Sequence, residues 1–185
     1  MKSYAIEIFF NNEFDEYVRG MWKRLYDNNI SYFMEDIEGV VPHIALSVYN
    51  DVDSEKLKED FSRYIEKDFR SFELYFDTIA MFKATDIIYT RANINTQIFN
   101  LFMDVKKAFK NYSRNESVFY SPERWNPHCT LGKLDGNERI GEAFQFCYDN
   151  FEPKKVMVCE IALIEVAFEG DKCLVCRTLS SKKFL

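Results

Sequence analysis

A chain of 185 residues fits one domain, or two small lobes that share a core. Hydrophobic residues make up 47%, with 18 Phe and 11 Tyr to fill that core, and glycine and proline are scarce, which excludes a disordered or fibrous chain. A net charge of −6 argues against a broad surface for duplex DNA or long RNA, and leaves room for one small phosphate in a local positive pocket.

No stretch is long enough to span a membrane, and Met1-Lys2-Ser3-Tyr4 leads into a short alternating run rather than a secretory apolar core. A cytoplasmic location and no membrane partner are the expectation. The five cysteines are an odd number and fall mostly in strand- or helix-like patterns, so they read as buried reduced thiols.

In chain order, residues 4–10 (YAIEIFF) are rich in β-formers and predict a strand, which Asn11-Asn12 breaks. Residues 13–28 carry a helical stripe of Phe14, Val18, Met21, Trp22 and Leu25. Residues 29–41 read as irregular or a weak strand, with Gly39 near their end. Residues 43–49 alternate: His43, Ala45, Ser47 and Tyr49 point one way, Ile44, Leu46 and Val48 the other. The aliphatic face must pack on helices, which leaves the histidine face towards an open cleft. Asp53 or Ser54 can cap a helix striped by Leu57, Phe61, Tyr64 and Ile65. Residues 72–82 then form one or two strands.

The same order follows again. Residues 87–94 predict a strand, and Thr96 can cap a helix with Ile98, Leu101, Phe102, Val105 and Phe109 on one face. A polar connection near 113–126 contains Arg114, Arg124 and Trp125. Residues 128–134 place His128, Thr130 and Gly132 on one face of a strand. Asn137 can cap a helix bearing Ile140, Ala143, Phe144 and Cys147. Strands at 156–168 and 173–179 meet at the hairpin signal Glu169-Gly170-Asp171-Lys172.

The protein has only two histidines, and each lies in a Pro-His-x-x-Leu segment: Pro42-His43-Ile44-Ala45-Leu46 and Pro127-His128-Cys129-Thr130-Leu131. They lie 85 residues apart, near half the chain length, which points to an internal duplication. Shifting the first half by 85 places Tyr4 on Tyr89 and helix 13–28 on 98–113. Each half is then β-α-β-α-β with the histidine on its middle strand. The expected fold is one bilobal α+β domain over residues 1–185. Its pseudo-symmetric halves are roughly 1–84 and 85–185, and their antiparallel sheets form a central cleft.

Two histidines in matched positions suggest paired acid–base chemistry, since imidazole titrates near pH ~6.5 and can take a proton from water or give one to a leaving oxygen. A hydroxyl two residues on shares the histidine's face and can bind a phosphoryl oxygen. Thr130 meets that requirement and Ala45 does not. With these residues the chain resembles the 2H phosphoesterase superfamily of 2′-5′ RNA ligase-like and RNA 2′,3′-cyclic phosphodiesterase proteins, which carry two His-x-Thr/Ser-x motifs on related strands of two lobes. The second motif, His128-Cys129-Thr130-Leu131 behind Trp125-Asn126-Pro127, matches that pattern, and the first has lost its hydroxyl at Ala45.

The resemblance implies a hydrolase that opens a 2′,3′-cyclic phosphate to a 2′-phosphate without metal or cofactor; some members also join RNA ends through a 2′-5′ linkage. The implied partner is a small nucleotide or an RNA end carrying a cyclic phosphate, handled by a monomer. His43 and His128 would be base and acid in an order left open, and Thr130 and position 45 would hold non-bridging oxygens. Ser47 offers a hydroxyl about 7 Å further along the strand at ~3.3 Å per residue. Lys83, Arg91, Arg124 and Lys133 lie near the histidine segments as candidate phosphate charges, and Tyr89 and Trp125 as candidate base-stacking rings.

Two competing readings are weaker. Cys173-Leu174-Val175-Cys176 has zinc-like spacing but no second pair, and residues three apart on a regular strand diverge. Cys129 should turn into the core, away from His128, which argues against a Cys-His nucleophile. The leading expectation is therefore a cyclic phosphodiesterase. The rival, motivated by Ala45, is a catalytically weak or inactive nucleotide- or RNA-end-binding module on the same fold.

Overall fold

Seven strands build one open antiparallel sheet: β1 (Lys2–Phe10), β2 (His43–Asn50), β3 (Phe72–Phe82), β4 (Ile87–Ala92), β5 (His128–Lys133), β6 (Lys154–Glu169) and β7 (Lys172–Lys183). The helices between them are α1 (Asn12–Asp27), α2 (Ser54–Tyr64), α3 (Thr96–Ala108) and α4 (Ile140–Asn150). This computed structural model describes residues 1–134, 139–170 and 172–185. The halves are β1-α1-β2-α2-β3 and β4-α3-β5-α4-β6, as the repeat predicts, with β7 added at the end. Strand order is β2-β1-β6-β3-β4-β5, with β7 also paired to β6. The two ends of that path, β2 and β5, come into contact.

The apolar stripes of all four helices enter one core together with Tyr4, Ile6, Ile8 and Phe10 from one face of β1. Helices and strands exchange between the halves: α1 packs against β5, and α3 against β2. Asp53 caps α2 by accepting from the backbone N–H groups of Glu55 and Lys56. The cap of α3 is Asn95 rather than Thr96, with its side chain accepting from Ile98 N–H. The expected cap Asn137 lies outside the described residues. Among the described residues no helix is long and apolar enough to cross a membrane.

Several strands depart from simple alternation, and three of the bulges change which residues share a face. In β2, Ser47 pairs with Ile6 and Ala45 with Glu7, so Leu46 has no partner and forms a bulge. In β5, Thr130 pairs with Tyr89 and Gly132 with Ile88, so Leu131 is the extra residue. Leu46 and Leu131 are themselves 85 residues apart, so the bulge belongs to the duplication. It reverses the faces beyond it. Ser47 and Tyr49 point into the helix-side core rather than sharing the face of His43, and Gly132 faces Leu25 and Ser31 instead of the side of His128.

A third bulge in β7 overturns the divergence expected of the cysteine pair. Val175 pairs with Ala167 and Cys173 with Phe168, which leaves Leu174 out of register. Cys173 and Cys176 therefore lie on one face, and their thiols interact. All five cysteines are free.

Residues 29–41 carry no regular strand; Ile30, Met34, Ile37 and Val40 anchor them in the core. They are tied to β7 where Glu38 N–H donates to Leu174 O and Cys176 N–H donates to Glu38 O. Gly39 holds φ +74 there, and a Cβ on it would lie 2.4 Å from the Cys176 carbonyl oxygen. Gly39→Ala should therefore cost about 1–3 kcal/mol of stability, read as a lowered denaturation midpoint. An unchanged midpoint would show that the segment is not held against β7.

Candidate active site

The two bulged strands place their histidines by one repeated arrangement. Each ring bonds through Nδ1 to the carbonyl two residues back: His43 to Val41 O and His128 to Asn126 O, both at 2.7 Å. A carbonyl oxygen can only accept, so Nδ1 carries the proton and Nε2 is the nitrogen left for chemistry.

The carbonyl before each bulge is satisfied by a tryptophan from the other half. Trp125 Nε1 donates to Ala45 O at 3.0 Å, and Trp22 Nε1 donates to Thr130 O at 3.0 Å. Ala45 and Thr130, like the histidines, stand 85 residues apart. The two lobes are thus cross-tied at the residues that set the site. The backbone of His43 also lies against the Cys129 thiol, which belongs to the opposite histidine strand.

Register fixes what shares a face with the rings, because directly paired residues of antiparallel strands point the same way. His128 lies opposite Arg91, and Thr130 opposite Tyr89. His43 lies opposite Phe9, and Ala45 opposite Glu7. Arg91 is exposed and Tyr89 buried. Tyr89 meets His128 edge-on at 5.1 Å and accepts from Asn126 Nδ2 through its hydroxyl. Phe82 stacks on Tyr89 and meets His128 edge-on.

Two expectations drawn from the sequence need revision. Ser47 is fully buried on the far side of β2, where its hydroxyl donates to Glu116 and accepts from Lys106. The bulge at Leu46 is the cause. Trp125 has spent its N–H on Ala45 O and one ring face on Phe102, stacked at 4.0 Å, so it braces the strand. Arg124 lies over Phe119 and Lys133 over Phe33, while Lys83 is exposed.

The residue that sequence reasoning passed over is Glu7. It is 6% exposed, and its Oε1 lies 3.5 Å from His43 Nε2. Its signal was visible, since it is the one charged residue within YAIEIFF. Burial pushes its carboxyl upward, and the neighbouring His43 pulls the other way. Tyr120, at the end of the second of two 3-10 turns ahead of β5, also lies close enough to feel Glu7. Cys129 is fully buried, and that burial pushes its thiol up to about 12, which keeps it inert. Among the described residues no three His, Cys, Asp or Glu side chains converge as metal ligands.

The two histidines are electrostatically distinct. Burial pushes His128 down to about 4, the bond to Asn126 opposes that, and the charge of His43 adds to it. His128 therefore stays neutral at neutral pH. Between its ordinary value of 6.5 and about 4, the unfolded chain binds a proton that the native site refuses, so stability falls as pH drops through that window. The loss should approach about 3 kcal/mol, measured by denaturant titration across that range. His128→Gln should remove most of it; an equal pH dependence in that variant would contradict the placement of this ring.

A sequence profile of the 2′-5′ RNA ligase superfamily matches residues 14–167. No curated protein sequence matches. Among solved structures, the chain is similar to E. coli LigT complexed with 3′-AMP, with 13% identity, a TM-score of 0.64, and coverage of 99% of this chain and 98% of that one. It is similar to TT0787 of Thermus thermophilus, with 12% identity, a TM-score of 0.65, and coverage of 98% and 97%. It also matches the MHV ns2 PDE domain, with 12% identity, a TM-score of 0.51, and coverage of 98% and 99%. At these identities the structures speak for the fold. The profile covers most of the chain, and both histidine strands lie inside it: this protein belongs to the 2′-5′ RNA ligase superfamily, the 2H phosphoesterases.

Proposed function

We propose that the chain is a phosphodiesterase that opens a 2′,3′-cyclic phosphate, on an RNA end or a small nucleotide, by acid–base catalysis between His43 and His128. The observation that carries this reading is the matched pair of Nδ1-anchored rings, which turns two Nε2 atoms to the substrate side of strands in contact.

His128, held neutral by its burial, takes the proton of the attacking water at Nε2. As water adds to phosphorus, the bond to one ribose oxygen breaks. His43, entering the step as an imidazolium protonated on both ring nitrogens, gives its Nε2 proton to that leaving oxygen, which becomes a hydroxyl. Arg91, opposite His128 in register, and the Thr130 hydroxyl hold the non-bridging oxygens. Tyr89 keeps the His128 ring in place from the side. The same attack with a ribose hydroxyl in place of water, on the same cyclic phosphate and with the same leaving oxygen, would join RNA ends. LigT structures bear 3′-AMP, ATP and NADP+, which supports a nucleotide as the ligand class.

The second reading, a binding module with weak turnover, is favoured by Ala45, which removes one hydroxyl from the oxyanion-binding set. A panel of 2′,3′-cyclic nucleotides, with binding measured in parallel, separates the two. The enzyme reading expects turnover that survives a chelator. It expects a loss of ~10²–10⁴-fold in His43→Ala and His128→Ala. Because the base must be unprotonated, kcat/KM should fall as pH drops through about 4. Tight binding without turnover in the wild type would favour the module, and loss of activity with the chelator restored by a metal would contradict the mechanism.

A further inference from the structure

Glu7 sits in an unusual place for a carboxyl. It lies mid-strand in β1, on the side of the sheet away from the helices, with Ala45 paired to it on one flank and Ala162 on the other. Two methyl groups as neighbours leave space above the sheet for a longer side chain. It is buried at 6% exposure, and among the described residues no lysine or arginine forms an ion pair with it. Its one close charged neighbour is His43, with Oε1 3.5 Å from the nitrogen the mechanism uses.

The position answers the departure at residue 45. Cβ atoms of directly paired residues on antiparallel strands lie ~4.5–5.5 Å apart. A glutamate side chain is long enough to span that gap, and its carboxyl already lies beside His43, on the same strand as Ala45. An ionised carboxyl beside a phosphoryl anion held by the histidines would repel it. A neutral carboxyl would instead offer an O–H donor.

We propose that Glu7 is a substrate-binding residue that works as a neutral carboxylic acid, its O–H donating to a non-bridging oxygen of the phosphodiester in the role that Ala45 leaves open. This inference rests on the phosphodiester reading of the site. Burial, the dominant influence on Glu7, favours the protonated form. The other titratable groups facing it are His43 from β2, Tyr120 from the turn before β5, Cys129 from β5, and Cys173 and Cys176 from β7. Tyr120 and Cys129 are pushed upward by burial and stay neutral where the ligand binds.

The test is calorimetric binding of adenosine 2′,3′-cyclic phosphorothioate, a slowly cleaved analogue whose single charge is constant across the working pH range. Wild-type affinity should be constant at low pH and fall about tenfold per pH unit once Glu7 ionises. Glu7→Gln, which keeps an N–H donor and cannot ionise, should lose that fall. Glu7→Ala should bind at least ~10-fold more weakly at low pH, as expected when a preorganised donor is removed, and Ala45→Thr in that background should restore binding. Equal pH dependence in wild type and Glu7→Gln, undiminished binding by Glu7→Ala, or Glu7→Gln as weak as Glu7→Ala would each overturn the proposal. If the wild type binds the analogue at no pH, the phosphodiester reading itself fails. Infrared spectra of the ligand-free protein then decide the state of Glu7. A neutral-carboxyl stretch that persists at pH above the ordinary glutamate value of 4.5 and disappears in Glu7→Gln upholds it, and its absence there from the wild type overturns it.

Discussion

Everything at this site depends on two carbonyl oxygens, Val41 O and Asn126 O, each holding an imidazole through Nδ1. Those bonds leave Nε2 as the free ring nitrogen and stop the ring from turning. They form because each histidine opens a strand just after a proline, where the preceding backbone is extended and its carbonyl is free. The bulge three residues further on then turns the chain so that the residues beyond it face the core while the histidine stays on the other side of the strand.

The scaffold secures those strands by exchange between halves. Trp22 rides on α1 but serves β5, and Trp125 precedes β5 but serves β2. Each indole satisfies a carbonyl that a bulge has taken out of the ladder, a group that would be costly to leave unpaired. Beneath β2, Lys106 completes the set by donating to Leu46 O, Ser47 Oγ and Glu116 Oε1. Burial lowers the lysine, and the Glu116 carboxylate works against that. Removing Glu116 alone would strand a half-buried ammonium, so this network fixes the bulge more firmly than its exposure suggests.

Much of this was legible in the sequence. The repeated Pro-His-x-x-Leu segments, their separation and the 3.6- and 2-residue periodicities led to the element order and to the family. What was not legible came mostly from the bulges. A bulged Leu46, Leu131 or Leu174 has the composition of an ordinary strand residue, because the bulge is a property of the register with a partner strand that the chain alone does not display. Ser47, Gly132 and the Cys173–Cys176 pair were all misplaced for that one reason. Asn95 displaced Thr96 as a cap because both are good caps one position apart. Glu7 is different: its charge inside an apolar strand was in plain view, and a buried carboxyl at such a place is itself a signal of function.

With only two histidines in the chain, nitrogen NMR of histidine-labelled protein tests the central claim directly. The account predicts that Nδ1 stays protonated in both rings, and that adding a cyclic phosphodiester analogue moves both Nε2 resonances together. A neutral ring carrying its proton on Nε2, or a response from only one histidine, would contradict it.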